Sequence, residues 1–249
     1  MTPTTAPTAP AWTLFGIEPL RAALEYASMH LMDKATLPSG DGHPVVIFPG
    51  LAADRHSIAP LKDFCQRLGY AAYDWGRGFN TGPQGDVDRW IDDLAQHVSE
   101  LTSAHRQRVS LVGWSLGGIY AREVAKKLTG RVRQVITIGT PFAGTMEQNN
   151  VTWVYRLVNG QKPLIDETLM ARLRTAPQVP TTSIFSRSDG VVAWEACIQP
   201  GNAAHTENIE VQGSHCGLGW NPEVLAVVAD RLRQRENAWR RHPRSMAPS

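Results

Sequence analysis

At 249 residues, with 42% hydrophobic and 19% charged side chains, the chain is long enough for one large-cored domain, or at most two small ones. A net charge of +2 gives no electrostatic reason to expect nucleic acid as a partner. The three cysteines, Cys65, Cys197 and Cys216, are odd in number and lack metal-ligand spacing, which argues against a disulfide framework and against zinc.

The opening MTPTTAPTAPAW is rich in Pro, Thr and Ala and has neither the basic start nor the apolar core of a signal peptide. Residues 1–13 are expected to be a disordered tail, and a cytoplasmic location is expected. EPLRAALEYASMHLMDKA follows, with Leu20, Leu24, Ala27 and Leu31 in one apolar stripe at helical spacing. Next to Trp12, Leu14 and Phe15 such a stripe suits a membrane surface or a partner, but the expectation is that it packs on its own domain. No apolar run approaches membrane-spanning length, so no stable insertion is expected.

Strands and helices then alternate. PVVIF (44–48), YAAYD (70–74), the run from Val109, VRQVITIG (132–139), TTSIFS (181–186) and NIEVQ (208–212) read as strands. Segments 56–69, 87–104, 116–128 and 222–237 read as helices, the last with Pro222 in its first turn. This alternation predicts a parallel sheet covered on both faces. The domain is expected over 14–238, with a C-terminal tail over 239–249 whose basic residues are solvated.

Residues 141–180 break the rhythm with short helical pieces and no strand. That is too long for a plain connection, so the spacing predicts a small helical cap over the site, hinged near Gly144 and Pro177. Trp153, Tyr155, Leu157, Leu164, Leu169 and Met170 supply its apolar side chains. The glycine-rich loop DWGRGFNTGPQGD (74–86) either lines the pocket or is a mobile surface loop.

SLVGWSLGGIYAREVA (110–125) carries the chemistry. Ser115 stands between an apolar strand and a helical run, with Gly113 and Gly117 on either side. A strand-to-helix turn this tight excludes Cβ atoms at its flanks and pushes the serine out at the strand end. A serine hydroxyl needs a base, and the base needs a carboxylate. In a doubly wound sheet both must lie in loops at the C-terminal ends of strands. His215 follows the last strand, whereas His43 and His205 precede strands; His56 also follows a strand but begins a helix. Asp189 follows TTSIFS; Asp74 is its rival. Oxyanion donors are expected from the backbone N–H of Leu116 and, beyond Pro49 and Gly50, of Leu51.

Taken together, these segments resemble the α/β-hydrolases, close to small bacterial lipases and esterases. FPGLAADR resembles their oxyanion loop, with Pro49 where a histidine usually stands. GWSLGG matches their elbow, GTPFAGT the segment after the next strand, and SRSDGVV and GSHCGL their acid and histidine loops. The resemblance implies an α/β-hydrolase fold with a mostly parallel sheet of about six strands, helices on both faces and a small helical cap. It implies a serine hydrolase cleaving carboxylic esters through an acyl-enzyme, with Ser115, Asp189 and His215 catalytic and neither metal nor cofactor. The partner is then a small or lipid-like acyl ester, with Trp114, Trp153 and Leu169 as candidate substrate contacts. An acyl thioesterase, an acyltransferase and a non-catalytic hydrolase-like module remain alternatives, and the sequence leaves the oligomeric state open.

Overall fold

The computed structural model describes residues 10, 12–33, 37–143, 167–201 and 203–246. Helix α1 (Trp12–Leu31) leads into β1 (Pro44–Phe48), α2 (Ala59–Arg67), β2 (Ala71–Asp74) and α3 (Val87–Leu101). β3 (Val109–Trp114), α4 (Leu116–Lys127), β4 (Val132–Ile138) and α5 (Glu167–Arg174) follow. The chain continues through β5 (Thr181–Phe185), a 3-10 turn (Trp194–Cys197), β6 (Thr206–Glu210) and α6 (Pro222–Leu232).

The six strands form one sheet in the order β2-β1-β3-β4-β5-β6, and every pairing is parallel. Each residue of β1, β3 and β4 is buried, so β1 reads as a continuous apolar run rather than an alternating one, while β3 and β4 also bury the polar Ser110, Arg133, Gln134 and Thr137. Alternate side chains go to opposite faces. Val45, Ile47, Val112 and Trp114 join α2 and α6 in one core; Val46, Phe48 and Leu111 join α3, α4 and α5 in another. Chain order reverses between β1 and β3, so the crevice beyond their carboxyl ends is where this architecture places a ligand.

Helix α1 departs from expectation. Leu20, Leu24 and Leu31 are 64%, 61% and 87% exposed, so the apolar stripe faces outward instead of packing on the domain. The face turned inward carries Glu18, Ala22 and Met29, all buried, and the partly buried Glu25. Buried loop amides need acceptors, and the carboxylates of α1 supply them.

The segment read as a tail from 239 is tied back to the body. Arg231 donates to Arg240 O at 2.7 Å, His242 N to Glu207 at 2.6 Å and Met246 N to Asn208 O at 2.9 Å. Most of the expected N-terminal tail lies outside the described residues, and α1 begins already at Trp12. Of the expected cap, residues 144–166 lie outside the described residues, and with them Trp153, Tyr155, Leu157, Leu164 and the Gly144 hinge. Its last helix, α5, buries Met170 and Leu173 in the α3–α4 core, with Leu169 packed beside them. Arg122 Nη2 caps that helix through Leu173 O and Thr175 O, both at 3.2 Å.

Candidate active site

β3 stops at Trp114 and α4 starts at Leu116, leaving Ser115 alone between them with φ 53° and ψ −125°. A non-glycine residue held at positive φ costs about 1–3 kcal/mol and persists only where its surroundings impose it. The glycines show how they do so. A Cβ on Gly113 would lie 2.3 Å from Gly117 O, and one on Gly117 2.3 Å from Phe48 O. A Cβ on Gly118 would lie 2.0 Å from Thr140 Oγ1. The turn is pressed between the ends of β1 and β4, and Ser115 N donates to Ile138 O at 2.8 Å.

His215 and Asp189 come to this serine from the loops after β6 and β5. Ser115 Oγ lies 3.0 Å from His215 Nε2, and His215 Nδ1 lies 2.7 Å from Asp189 Oδ2. The other oxygen of Asp189 accepts from Val191 N at 2.8 Å and Val192 N at 2.7 Å, which fixes the carboxylate plane. Burial works against a charged imidazole at His215, but the Asp189 carboxylate and then Glu18 outweigh it, and the pKa is raised above the usual histidine value.

The histidine loop is held by neighbours absent from the sequence reading. Glu18 Oε1 accepts from His215 N at 3.0 Å, Glu18 Oε2 from Cys216 N at 2.9 Å, and Glu25 Oε1 from Ser214 N at 2.7 Å. Trp114, expected as a substrate contact, is buried and donates from Nε1 to His215 O at 3.1 Å.

The loop after β1 runs against the elbow. A Cβ on Gly50 would lie 3.2 Å from Ser115 Cβ, so the peptides leading to Leu51 sit beside the serine. Asn80, fully buried, reaches in from the glycine-rich loop. Its Nδ2 donates to Pro49 O and Gly50 O, each at 2.9 Å, and its Oδ1 accepts from Tyr120 Oη at 3.2 Å. In a trans peptide C=O and N–H point oppositely, so holding Gly50 O fixes the direction of the Leu51 N–H. Leu116 N–H is among the first donors of α4, which have no partner within the helix. Asn80 stands in a loop the sequence had placed at the active edge; Glu18 and Glu25 share an i, i+7 spacing on one helical face.

A second Ser–His–Asp group occurs at the opposite edge of the sheet. His43 Nε2 lies 2.7 Å from Ser110 Oγ, and His43 Nδ1 contacts Asp41, which also accepts from Arg133 at 2.7 Å. Ser110 and His43 are wholly inaccessible, so no substrate reaches them. Burial pushes the His43 pKa down, favouring a neutral ring that ties the residue just before β1 to Ser110 of β3.

Asp74, the rival acid, ends β2, with β1 between it and β3; its side chain accepts from Gly76 N at 2.9 Å. Among the described residues no cluster of three or more His, Cys, Asp or Glu could hold a metal ion. Among them, too, no helix is long and apolar enough to cross a membrane.

A parallel sheet with its switch point between β1 and β3, and a serine on a strained strand-to-helix turn beside it, defines a class of α/β protein. A model of the alpha/beta hydrolase family matches residues 45–246, and the chain belongs to that family. Serine hydrolase BPHL of Mus musculus is 27% identical over 119 residues, 45% of this chain and 41% of that protein. The match therefore spans about two-fifths of the relative's length. Among solved structures, a lipase B of Aspergillus fumigatus superposes with a TM-score of 0.60 at 20% identity, covering 83% of this chain and 57% of that one. An esterase of Pyrococcus furiosus gives 0.58 at 17% identity, covering 78% and 82%. An alpha/beta superfamily hydrolase of Oenococcus oeni gives 0.58 at 16%, covering 77% and 91%.

Proposed function

We propose that the chain hydrolyses carboxylic esters through an acyl-enzyme on Ser115. The observation that carries this reading is the hydrogen-bonded chain Ser115–His215–Asp189, at 3.0 and 2.7 Å, on the edge of the sheet where its topology puts ligands. His215 Nε2 takes the serine proton as Oγ attacks the acyl carbon, then gives it to the leaving alcohol. It next removes a proton from the water that attacks the acyl-enzyme and returns it to Ser115 Oγ as the acyl–Oγ bond breaks. Asp189 keeps the Nδ1–H tautomer and stabilises the imidazolium. The N–H groups of Leu51 and Leu116 receive the oxyanion, a contribution of about 2.7–4 kcal/mol per donor in comparable sites.

A lipase and an esterase among the similar structures support an ester as the substrate class. Trp153 and Leu169 are proposed to bear on acyl-chain choice rather than on chemistry. The test is hydrolysis of p-nitrophenyl esters of graded chain length beside the matching acyl-CoA thioesters. Ester turnover that disappears in Ser115→Ala supports the reading. Thioester turnover that greatly exceeds ester turnover replaces it with a thioesterase of the same mechanism.

A further inference from the structure

Helix α1 lies N-terminal to the residues matched by the family model, yet it reaches the candidate site. Glu18 is 2% exposed. Its Oε1 accepts from Gly190 N at 2.8 Å and from His215 N at 3.0 Å, and its Oε2 from Cys216 N at 2.9 Å. Gly190 follows Asp189 directly, so one carboxylate joins the loop that carries the acid to the loop that carries the base. A buried carboxylate is costly unless its lone pairs are filled, and three backbone N–H groups fill them here, with Arg21 at 3.7 Å. The approach is close: a Cβ on Gly190 would lie 2.7 Å from the Leu14 carbonyl carbon. Arg21 ties the same pair of helix and loop through Ser188 O at 2.6 Å and Ser188 Oγ at 2.8 Å.

We propose that Glu18 is a positioning residue of the hydrolytic site: by joining the Asp189–Gly190 loop to the His215–Cys216 loop it sets the distance between acid and base. This rests on the reading of Ser115, Asp189 and His215 given above. Glu18 touches no reacting atom and acts through the two loops. It also adds a second negative charge beside His215. The charged and titratable groups on the elements packed against the His215 loop are Asp189 from the β5 loop, Glu18, Glu25 and Arg21 from α1, and Cys216 from its own loop. When Ser115 attacks, the imidazolium forms against both Asp189 and Glu18.

The experiment uses the full chain and a p-nitrophenyl ester, with kcat and KM measured from about pH 5 to pH 9 beside a thermal melt. The variants are Ser115→Ala, Glu18→Gln and Glu18→Asp. Folded Glu18→Gln is expected to lose kcat by roughly 10- to 100-fold with KM changed less than about threefold, as misplacement of reacting groups does. Its acidic limb is expected at lower pH than in the wild type, because a charge favouring the imidazolium is gone. Glu18→Asp keeps the charge but is too short to span both loops, so its limb stays in place while kcat falls. Glu18→Gln with wild-type kcat and an unmoved limb, beside an inactive Ser115→Ala, overturns this proposal alone. If Glu18→Gln does not fold, wild-type kcat in Glu18→Asp overturns it and a reduced kcat at wild-type KM supports it. An inactive wild type, or an active Ser115→Ala, overturns the parent reading and this one with it.

Discussion

His215 Nδ1 lies 2.7 Å from Asp189 Oδ2, and both side chains are almost wholly enclosed. In that enclosure the carboxylate favours the protonated ring, and the His215 pKa is raised despite burial. In the proposed mechanism His215 must be neutral to act as base, so activity is expected to fall as the ring protonates. Because the pKa is raised, the acidic limb of kcat/KM is expected above the ordinary histidine value of about 6.5. Asp189→Asn removes the charge, and its limb is expected at lower pH, together with a rate loss on the order of 10⁴-fold from the wrong tautomer. A pH–rate series on both proteins checks this; a wild-type profile flat down to pH of about 5 contradicts it.

Ser115→Ala is expected to lower kcat by about 10⁴-fold or more and leave the melt nearly unchanged, since in the proposed mechanism the hydroxyl acts in the chemistry. Retention of a tenth of the wild-type rate in folded protein speaks against Ser115 as nucleophile.

Asn80 fixes the carbonyls of Pro49 and Gly50 beside the serine. Asn80→Ala leaves both without this donor, and a stability loss of about 1–3 kcal/mol is expected. A fall in kcat of roughly 10- to 100-fold is expected as the Leu51 N–H loses its fixed direction. Asn80→Asp, which turns acceptors toward carbonyl oxygens, is expected to be worse on both counts. Urea melts and steady-state kinetics read the two effects; full kcat in Asn80→Ala contradicts a role for Asn80 in orienting the Leu51 N–H for the proposed reaction.

Gly117→Ala places a methyl 2.3 Å from the backbone oxygen of Phe48, which cannot move without disturbing β1. A cost of about 3 kcal/mol is expected, at the upper end for overpacking. In a chain of this size that lowers Tm by about 6–12 °C. An unchanged melt contradicts the packing described for the elbow.

Ser115, Asp189 and His215, which the structure brings together, were legible as candidates because each stands at a strand's carboxyl end, although Asp74 and His56 stand at such ends too. The strand-end rule set aside His43, which the structure indeed seals at the opposite edge beside Ser110. Glu18 was not legible. It accepts from amides 172 and 198 residues away, and its i, i+7 spacing with Glu25 does not say which backbone donors the carboxylates meet. The same cause misdirected the reading of α1: periodicity located the stripe of Leu20, Leu24 and Leu31 but could not know that loop amides would draw the acidic face inward. The last helix was read to residue 237 but ends at Leu232. Arg231, 1% exposed, pairs with Glu207 at 3.0 Å and with Arg240 O, drawing the following chain back along β6.

The central claim is that Ser115 is a nucleophile activated by His215. The most direct measurement is intact-mass analysis after exposure to a fluorophosphonate, with the adduct mapped by peptide sequencing. One adduct per chain is expected, on Ser115, absent from Ser115→Ala and formed far more slowly in His215→Ala. A chain that stays unlabelled while folded, or an adduct that persists in Ser115→Ala, contradicts the account.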